Sequence, residues 1–94
     1  MTYQDEDFIL VGNFGRPIGL KGSLKLNSFT RPPYNIKNYN SFFLKENNEF
    51  VKIDVNKINV SGKNLVIFLN SCDSLEQAET IFKGREIYIL KSDL

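Results

Sequence analysis

The sequence contains no histidine and only one cysteine, Cys72, among its 94 residues. Without a second cysteine the chain can form no internal disulfide. Without histidine it lacks the usual ligands of zinc sites and the base of Ser-His or Cys-His nucleophile pairs. Capping and solvation explain the acids Glu76, Glu79 and Glu86, so no catalytic carboxylate pair is predicted. We therefore expect a protein that is not an enzyme, with no cofactor and no metal, in which Cys72 is a small buried residue.

Long hydrophobic runs are also missing. The longest apolar run covers residues 65–69, whereas a membrane-spanning helix needs roughly 20 residues. The first seven residues are acidic, while a secretory signal begins with basic residues. We therefore expect no membrane association and a cytoplasmic location. The length and the 41% hydrophobic content predict one folded domain at 8–94, preceded by an acidic tail at 1–7.

Acidic residues are absent from residues 8–45, although the net charge of the whole chain is only +1. This segment carries six bases: Arg16, Lys21, Lys25, Arg31, Lys37 and Lys45. Amines without neighbouring carboxylates are free to meet phosphates, so a surface that faces RNA is one interpretation. A solvated basic face without a ligand is the alternative.

Alternating and β-branched residues predict six strands and favour an antiparallel barrel over a parallel sheet. The predicted strands are 8–14, 23–29, 41–45, 50–60, 65–69 and 85–90. In the fourth strand the inward parity changes near Asn56 and Lys57, which predicts either a bulge at a barrel corner or two separate strands. The run 65–69 is apolar throughout, which predicts a central strand.

Three glycines and a proline lie in the segment 15–22, which predicts an ordered loop between the first two strands. No phosphate-binding glycine motif occurs there. The loop is therefore either a turn shaped by geometry alone or a turn that also binds a ligand. In the following strand, Leu24 and Leu26 are predicted to face inward and Lys25 and Asn27 outward.

A short helix is predicted before the last strand. Asp73 and Glu76 have the spacing of a capping box, and Gly84 lies where a left-handed cap would end a helix of about ten residues. Leu75, Ala78, Ile81 and Phe82 form the predicted apolar stripe. Phe29 and Tyr34, which flank a proline turn, are interpreted as core residues rather than as platforms for RNA bases.

The glycine loop and its neighbours contain a series of short motifs: Val11-Gly12, Gly19-Leu20-Lys21-Gly22, Leu24-Lys25-Leu26 and Ser28-Phe29-Thr30. In this order the motifs resemble the opening of the ribosome maturation factor RimM family. Further matches occur in the helix, in the glycine after it and in the closing strand, at Asp73, Glu76, Ala78, Glu79, Gly84 and Ile87-Tyr88-Ile89.

This resemblance implies a six-stranded barrel of the translation-factor type, all-β apart from one short helix. It also implies a chaperone-like role in maturation of the 30S subunit and processing of 16S rRNA. The implied partners are the immature 30S subunit, its 16S rRNA and ribosomal protein S-nineteen of the subunit head. Members of the family carry a second, PRC-type barrel to which much of the protein contact is attributed. We expect this chain to be a truncated form or one isolated domain, and a monomer.

Carried over by position, the loop residues Gly19, Leu20, Lys21 and Gly22 are the candidate ribosome-binding residues. Arg16 and Lys25 are added on charge alone. Two alternatives remain open: a protein-docking module without RNA contact, and a barrel belonging to a flavin or nucleotide enzyme.

Overall fold

A computed structural model describes residues 5–94 and contains seven strands in one antiparallel sheet. The strands are β1 (Phe8–Ile18), β2 (Ser23–Ser28), β3 (Phe42–Glu46), β4 (Glu49–Ile53), β5 (Val55–Ser61), β6 (Asn64–Leu69) and β7 (Glu86–Leu90). Their order across the sheet is β4-β3-β7-β1-β2-β6-β5. The sheet curls into a nearly closed barrel, which confirms the predicted all-β class.

The two edges of the sheet, β4 and β5, are consecutive in the chain and are separated only by Asp54. One stretch of chain therefore passes directly from one edge of the sheet to the other. The predicted single strand 50–60 is thus two strands, so the count is seven rather than six. The predicted bulge is also present, because the register of β5 with β6 shifts between Val55 and Lys57.

Strand β1 is four residues longer than predicted. The predicted loop residues 15–18 continue the strand: Gly15 and Arg16 form a bulge, and Pro17 and Ile18 pair with β2. A bulge accommodates the extra residue and turns the strand, so glycine and proline do not end the pairing here. The connection between β1 and β2 is consequently the short turn 19–22.

The core lies inside the barrel and is closed at both ends. Leu24 and Leu26 of β2 are buried as predicted, as are Leu65, Ile67 and Leu69 of β6. One end is plugged by Ile36 of the 3-10 helix Pro33–Asn38, which is fully buried. The helical segment 75–82 lies at the other end and buries Ala78 and Phe82.

This helical segment differs from the prediction in its cap and in its buried face. The N-cap is Ser74, whose side chain accepts a hydrogen bond from the Gln77 amide, rather than Asp73. The α-helix Leu75–Gln77 continues as a π-helical turn, Ala78–Phe82. A π-helical turn contains more residues than an α-helical turn, so Phe82, four positions after Ala78, lies on the same side as Ala78 and is buried. Ile81, three positions after Ala78, is turned away and is 47% exposed. Leu75 is also exposed. Gly84 has the predicted left-handed conformation, with φ +83°.

Two aromatic residues are placed differently from expectation. Phe29 and Tyr34 are 53% and 51% exposed, so neither is a core residue, and Ile36 fills the barrel end instead. Of the predicted acidic tail, residues 1–4 lie outside the described residues, and Asp5–Asp7 form a 3-10 turn that leads into β1. Within the described part of the chain, no helix has the length and apolar character needed to cross a membrane.

Candidate functional site

The turn 19–22 is a rigid connection because three separate contacts hold it. Ile18 and Ser23 face each other at the end of the β1–β2 ladder, and the Ser23 hydroxyl donates a hydrogen bond of 2.6 Å to the Ile18 carbonyl. The Leu75 amide donates a hydrogen bond of 3.2 Å to the Leu20 carbonyl. The start of the helical segment thus fixes the turn from the other side.

Gly22 is the buried residue of this turn and packs against the chain before the helix. Its φ of +92° favours glycine. A Cβ atom at this position would lie 2.5 Å from the Cys72 carbonyl oxygen. Gly22 therefore shapes the turn, whereas Gly19, Leu20 and Lys21 are exposed to a ligand.

Arg16 and Lys25 are brought together by the bulge in β1. Phe14 pairs with Leu26 and Pro17 with Leu24, so Gly15 and Arg16 together lie opposite Lys25. Arg16 is exposed and Lys25 is half-buried on the outer face of the barrel. The turn that holds Lys21 ends three residues before Lys25, a distance of about 10 Å along the strand.

Among the described residues, no carboxylate forms an ion pair with Arg16, Lys21 or Lys25. An ion pair elsewhere, between Arg85 and Glu46 at 2.9 Å, joins β3 to the start of β7. Three cations that have no carboxylate partner can neutralise phosphate groups without first breaking an internal contact.

Apolar side chains surround the same turn. Leu20 is 76% exposed, and Ile18 and Leu75 are each 36% exposed. The hydrogen bond between the Leu20 carbonyl and the Leu75 amide keeps the two leucines adjacent. Sequence reasoning identified Leu20 but not its apolar neighbours, because the helix start meets the turn only in the folded chain.

Sequence reasoning also missed Lys57 and Phe68. The Lys57 ammonium lies 4.8 Å from the centroid of the Phe68 ring on the outer face of the barrel. The sequence signal was the unbroken apolar run of β6, which predicted a central strand. The strand is paired on both sides, with β2 and β5, but lies next to the edge, and its alternate residues Val66 and Phe68 point away from the core and are half-buried.

Cys72 is buried as predicted, beside the turn and the helix start. Burial raises the pKa of its thiol. A backbone hydrogen bond at Ser74 opposes this shift, and the charge of Asp73 adds to it. A thiol with a raised pKa is a poor nucleophile at neutral pH. In the described part of the chain, no three His, Cys, Asp or Glu side chains are grouped so as to hold a metal ion.

Comparison with known families gives a match over almost the whole chain. The profile of the RimM N-terminal domain matches residues 9–94. A ribosome maturation factor RimM from Ectopseudomonas mendocina is 34% identical over 89 residues, which cover 95% of this chain and 49% of that protein. One from Nitrosococcus oceani is 30% identical over 90 residues, or 96% of this chain and 51% of that protein. The chain therefore spans about half the length of these relatives.

Two solved structures share the fold. A crystal structure from Pseudomonas aeruginosa, described as a 16S ribosomal RNA processing protein RimM, superposes with a TM-score of 0.82 at 32% identity and covers 94% of this chain and 53% of that one. The solution structure of the N-terminal domain of RimM from Thermus thermophilus gives a TM-score of 0.67 at 24% identity, with 93% of each chain covered.

Proposed function

We propose, on the premise that this chain belongs to the RimM family, that it assists maturation of the small ribosomal subunit by binding immature 30S particles. The names of its relatives, ribosome maturation factor and 16S ribosomal RNA processing protein, support this role. The domain acts without catalysing a reaction and without a cofactor. Its partners are 16S rRNA and ribosomal protein S-nineteen of the subunit head, the latter bound mainly by the second barrel of the longer relatives.

One observation supports the RNA part of this function most directly. The β1 bulge places Arg16 opposite Lys25, three residues from the turn that carries Lys21, and the described residues supply no carboxylate to any of the three. Such a group binds the phosphate backbone and fixes position without reading base sequence. A protein that binds one rRNA conformation more tightly than another shifts the folding equilibrium toward it. Preferential binding is therefore sufficient for a chaperone role.

Charge reversal tests this function. We expect the double variant Lys21→Glu/Lys25→Glu to co-sediment less with immature small subunits than the unaltered 94-residue chain does. By analogy with DNA, each lost phosphate contact should reduce the slope of log affinity against log salt by about 0.9. The control is Lys52→Glu, a charge reversal at an exposed lysine of β4. Unchanged binding and an unchanged slope in the double variant would contradict the proposed RNA contact.

A second candidate function, protein docking without RNA contact, is favoured by the apolar group formed by Ile18, Leu20 and Leu75. An exposed leucine at a fixed turn can enter an apolar pocket of a ribosomal protein. In that case Leu20→Ser lowers co-sedimentation and leaves the salt dependence of binding unchanged, while Lys21→Glu/Lys25→Glu has little effect. The two candidates therefore predict opposite rankings of these variants.

A further inference from the structure

Negative charge is distributed unequally over the barrel. Strands β1, β2, β5 and β6 contain no Asp or Glu, and they are adjacent in the sheet order. The remaining strands carry acids, namely Glu46 in β3, Glu49 in β4 and Glu86 in β7. Nearby acids lie in segments that flank the acid-free strands, namely Asp54, Asp73 and the turn Asp5–Asp7 before β1. The outer surface of these four strands presents cations without interspersed carboxylates.

The Lys57 and Phe68 pair lies on this acid-free surface, next to the turn 19–22. Leu24 pairs with Ile67, so the following position of β6, Phe68, lies beside Ser23 at the end of the turn. On its other side Phe68 pairs with Lys57 of β5. Lys25 lies two residues after Ser23 in β2, opposite Val66 and on the same side of the sheet as Phe68. Arg16, Lys25, Lys57 and Phe68 therefore form one continuous face, which we call the β2–β6–β5 face.

Phe68 has the environment of a stacking platform rather than that of a core residue. It is half-buried, and the packed core of the described residues does not include it. Its contact on the outer side is the Lys57 ammonium, 4.8 Å from the ring centroid. Cation–π contacts at exposed sites are weaker than the stacking of a base on an aromatic ring, so a base can displace the ammonium. The released lysine is then free to meet a phosphate.

We propose that the β2–β6–β5 face binds unpaired nucleotides of RNA, with one base stacked on Phe68 and phosphates held by Lys57, Lys25 and Arg16. This inference rests on the proposed function and deepens it by naming the class of RNA. Unpaired RNA is favoured over duplex because the faces of its bases are accessible, whereas a duplex hides them in its stack. An aromatic ring surrounded by cations fits single-stranded RNA, because a base can stack on the ring while the neighbouring phosphates contact the cations.

The test compares two labelled RNAs by fluorescence anisotropy: an unpaired oligouridine of about ten nucleotides, and a duplex of similar length. We expect Phe68→Leu to weaken binding of the oligouridine by at least about fivefold and to change duplex binding by less than about twofold. The control is Phe50→Leu, because Phe50 is also half-buried with a lysine over its ring, Lys45 at 5.5 Å, but stacks on Phe8 and lies on acid-bearing β4. This control should bind both RNAs as the unaltered chain does.

Lys57→Gln provides a second, milder test and should reduce the salt slope for the oligouridine by about 0.7. Thermal unfolding shows whether each variant is folded. If Phe68→Leu is unfolded, the test rests on Lys57→Gln, and an unchanged salt slope for that variant overturns the inference. The inference is also overturned if Phe68→Leu is folded and binds the oligouridine as the unaltered chain does. The proposed function still stands in that case, provided that Lys21→Glu/Lys25→Glu loses binding to immature 30S particles. If Phe68→Leu loses particle binding but not RNA binding, the face docks a protein and the inference is wrong.

Discussion

At the scale of single residues, Gly19 and Gly22 have similar backbone conformations but differ in the space available for a side chain. Both have positive φ, +73° and +92°, but a Cβ at Gly19 would meet no atom within 4 Å, whereas one at Gly22 would meet the Cys72 carbonyl at 2.5 Å. We expect Gly19→Ala to lower the free energy of unfolding by about 1 kcal/mol. Gly22→Ala should lower it by about 3 kcal/mol, because the chain near Cys72 must also move. Denaturant unfolding measures both; equal losses would contradict the packing of the turn.

Cys72 makes stability depend on alkaline pH. Burial raises the pKa of this thiol in the folded chain above its ordinary value, so the unfolded chain loses this proton first. The stabilising contribution is therefore complete below about pH 8.5 and is lost as pH rises through the folded pKa. We expect the free energy of unfolding to fall less between pH 8 and pH 10 in Cys72→Ala than in the unaltered chain. Parallel pH profiles for the two proteins would contradict the shift.

At the scale of elements, the helical segment has two neighbouring candidates for its N-cap, Asp73 and Ser74. The Ser74 hydroxyl accepts from the Gln77 amide at 3.2 Å, and the Gln77 side chain accepts from the Asp73 amide at 2.9 Å. Ser74→Ala should therefore lower the free energy of unfolding by about 1 kcal/mol. Asp73→Ala keeps the backbone amide that donates to Gln77, so this substitution should lower the free energy of unfolding by less than half as much. Chemical denaturation of the two variants decides between Ser74 and Asp73 as the cap.

The sequence predicts elements well where one local signal dominates. The alternation in β2 and the left-handed Gly84 follow from side-chain period and glycine geometry, and both predictions are confirmed. The prediction is wrong where tertiary pairing overrides a local signal. The β1–β2 ladder continues past Gly15 and Pro17 because a bulge absorbs the mismatch, and the π-turn changes which helix residues are buried.

The same distinction applies to the candidate site. Arg16, Lys21 and Lys25 could be proposed from sequence because an acid-free segment is visible as such. The Lys57–Phe68 pair could not, because it depends on the register between β5 and β6, which the bulge at Asn56 shifts by one residue. Without that shift, alternation would place Lys57 beside a different residue of β6.

At the scale of the whole molecule, the sheet order predicts which amides exchange slowly. β2 pairs on both sides, with β1 and β6, whereas β4 pairs only with β3 in the described sheet. We expect the amides of β2 to exchange only through global unfolding and those on the outer side of β4 to exchange through local opening. Hydrogen exchange followed by NMR measures this difference. Equal protection of β2 and β4 would contradict the assignment of β4 as an edge.

The position of β7 has a consequence for biosynthesis. This strand pairs with both β1 and β3, so it joins the hairpin of β3 and β4 to the four strands on the other side of the sheet. Its residues leave the ribosomal exit tunnel 73 to 82 positions after the residues of β1 with which they pair. A nascent chain halted before residue 86 can form the local hairpins, yet β1 then has an unpaired side. Until β7 has been synthesised, the unpaired side of β1 can form non-native strand pairs.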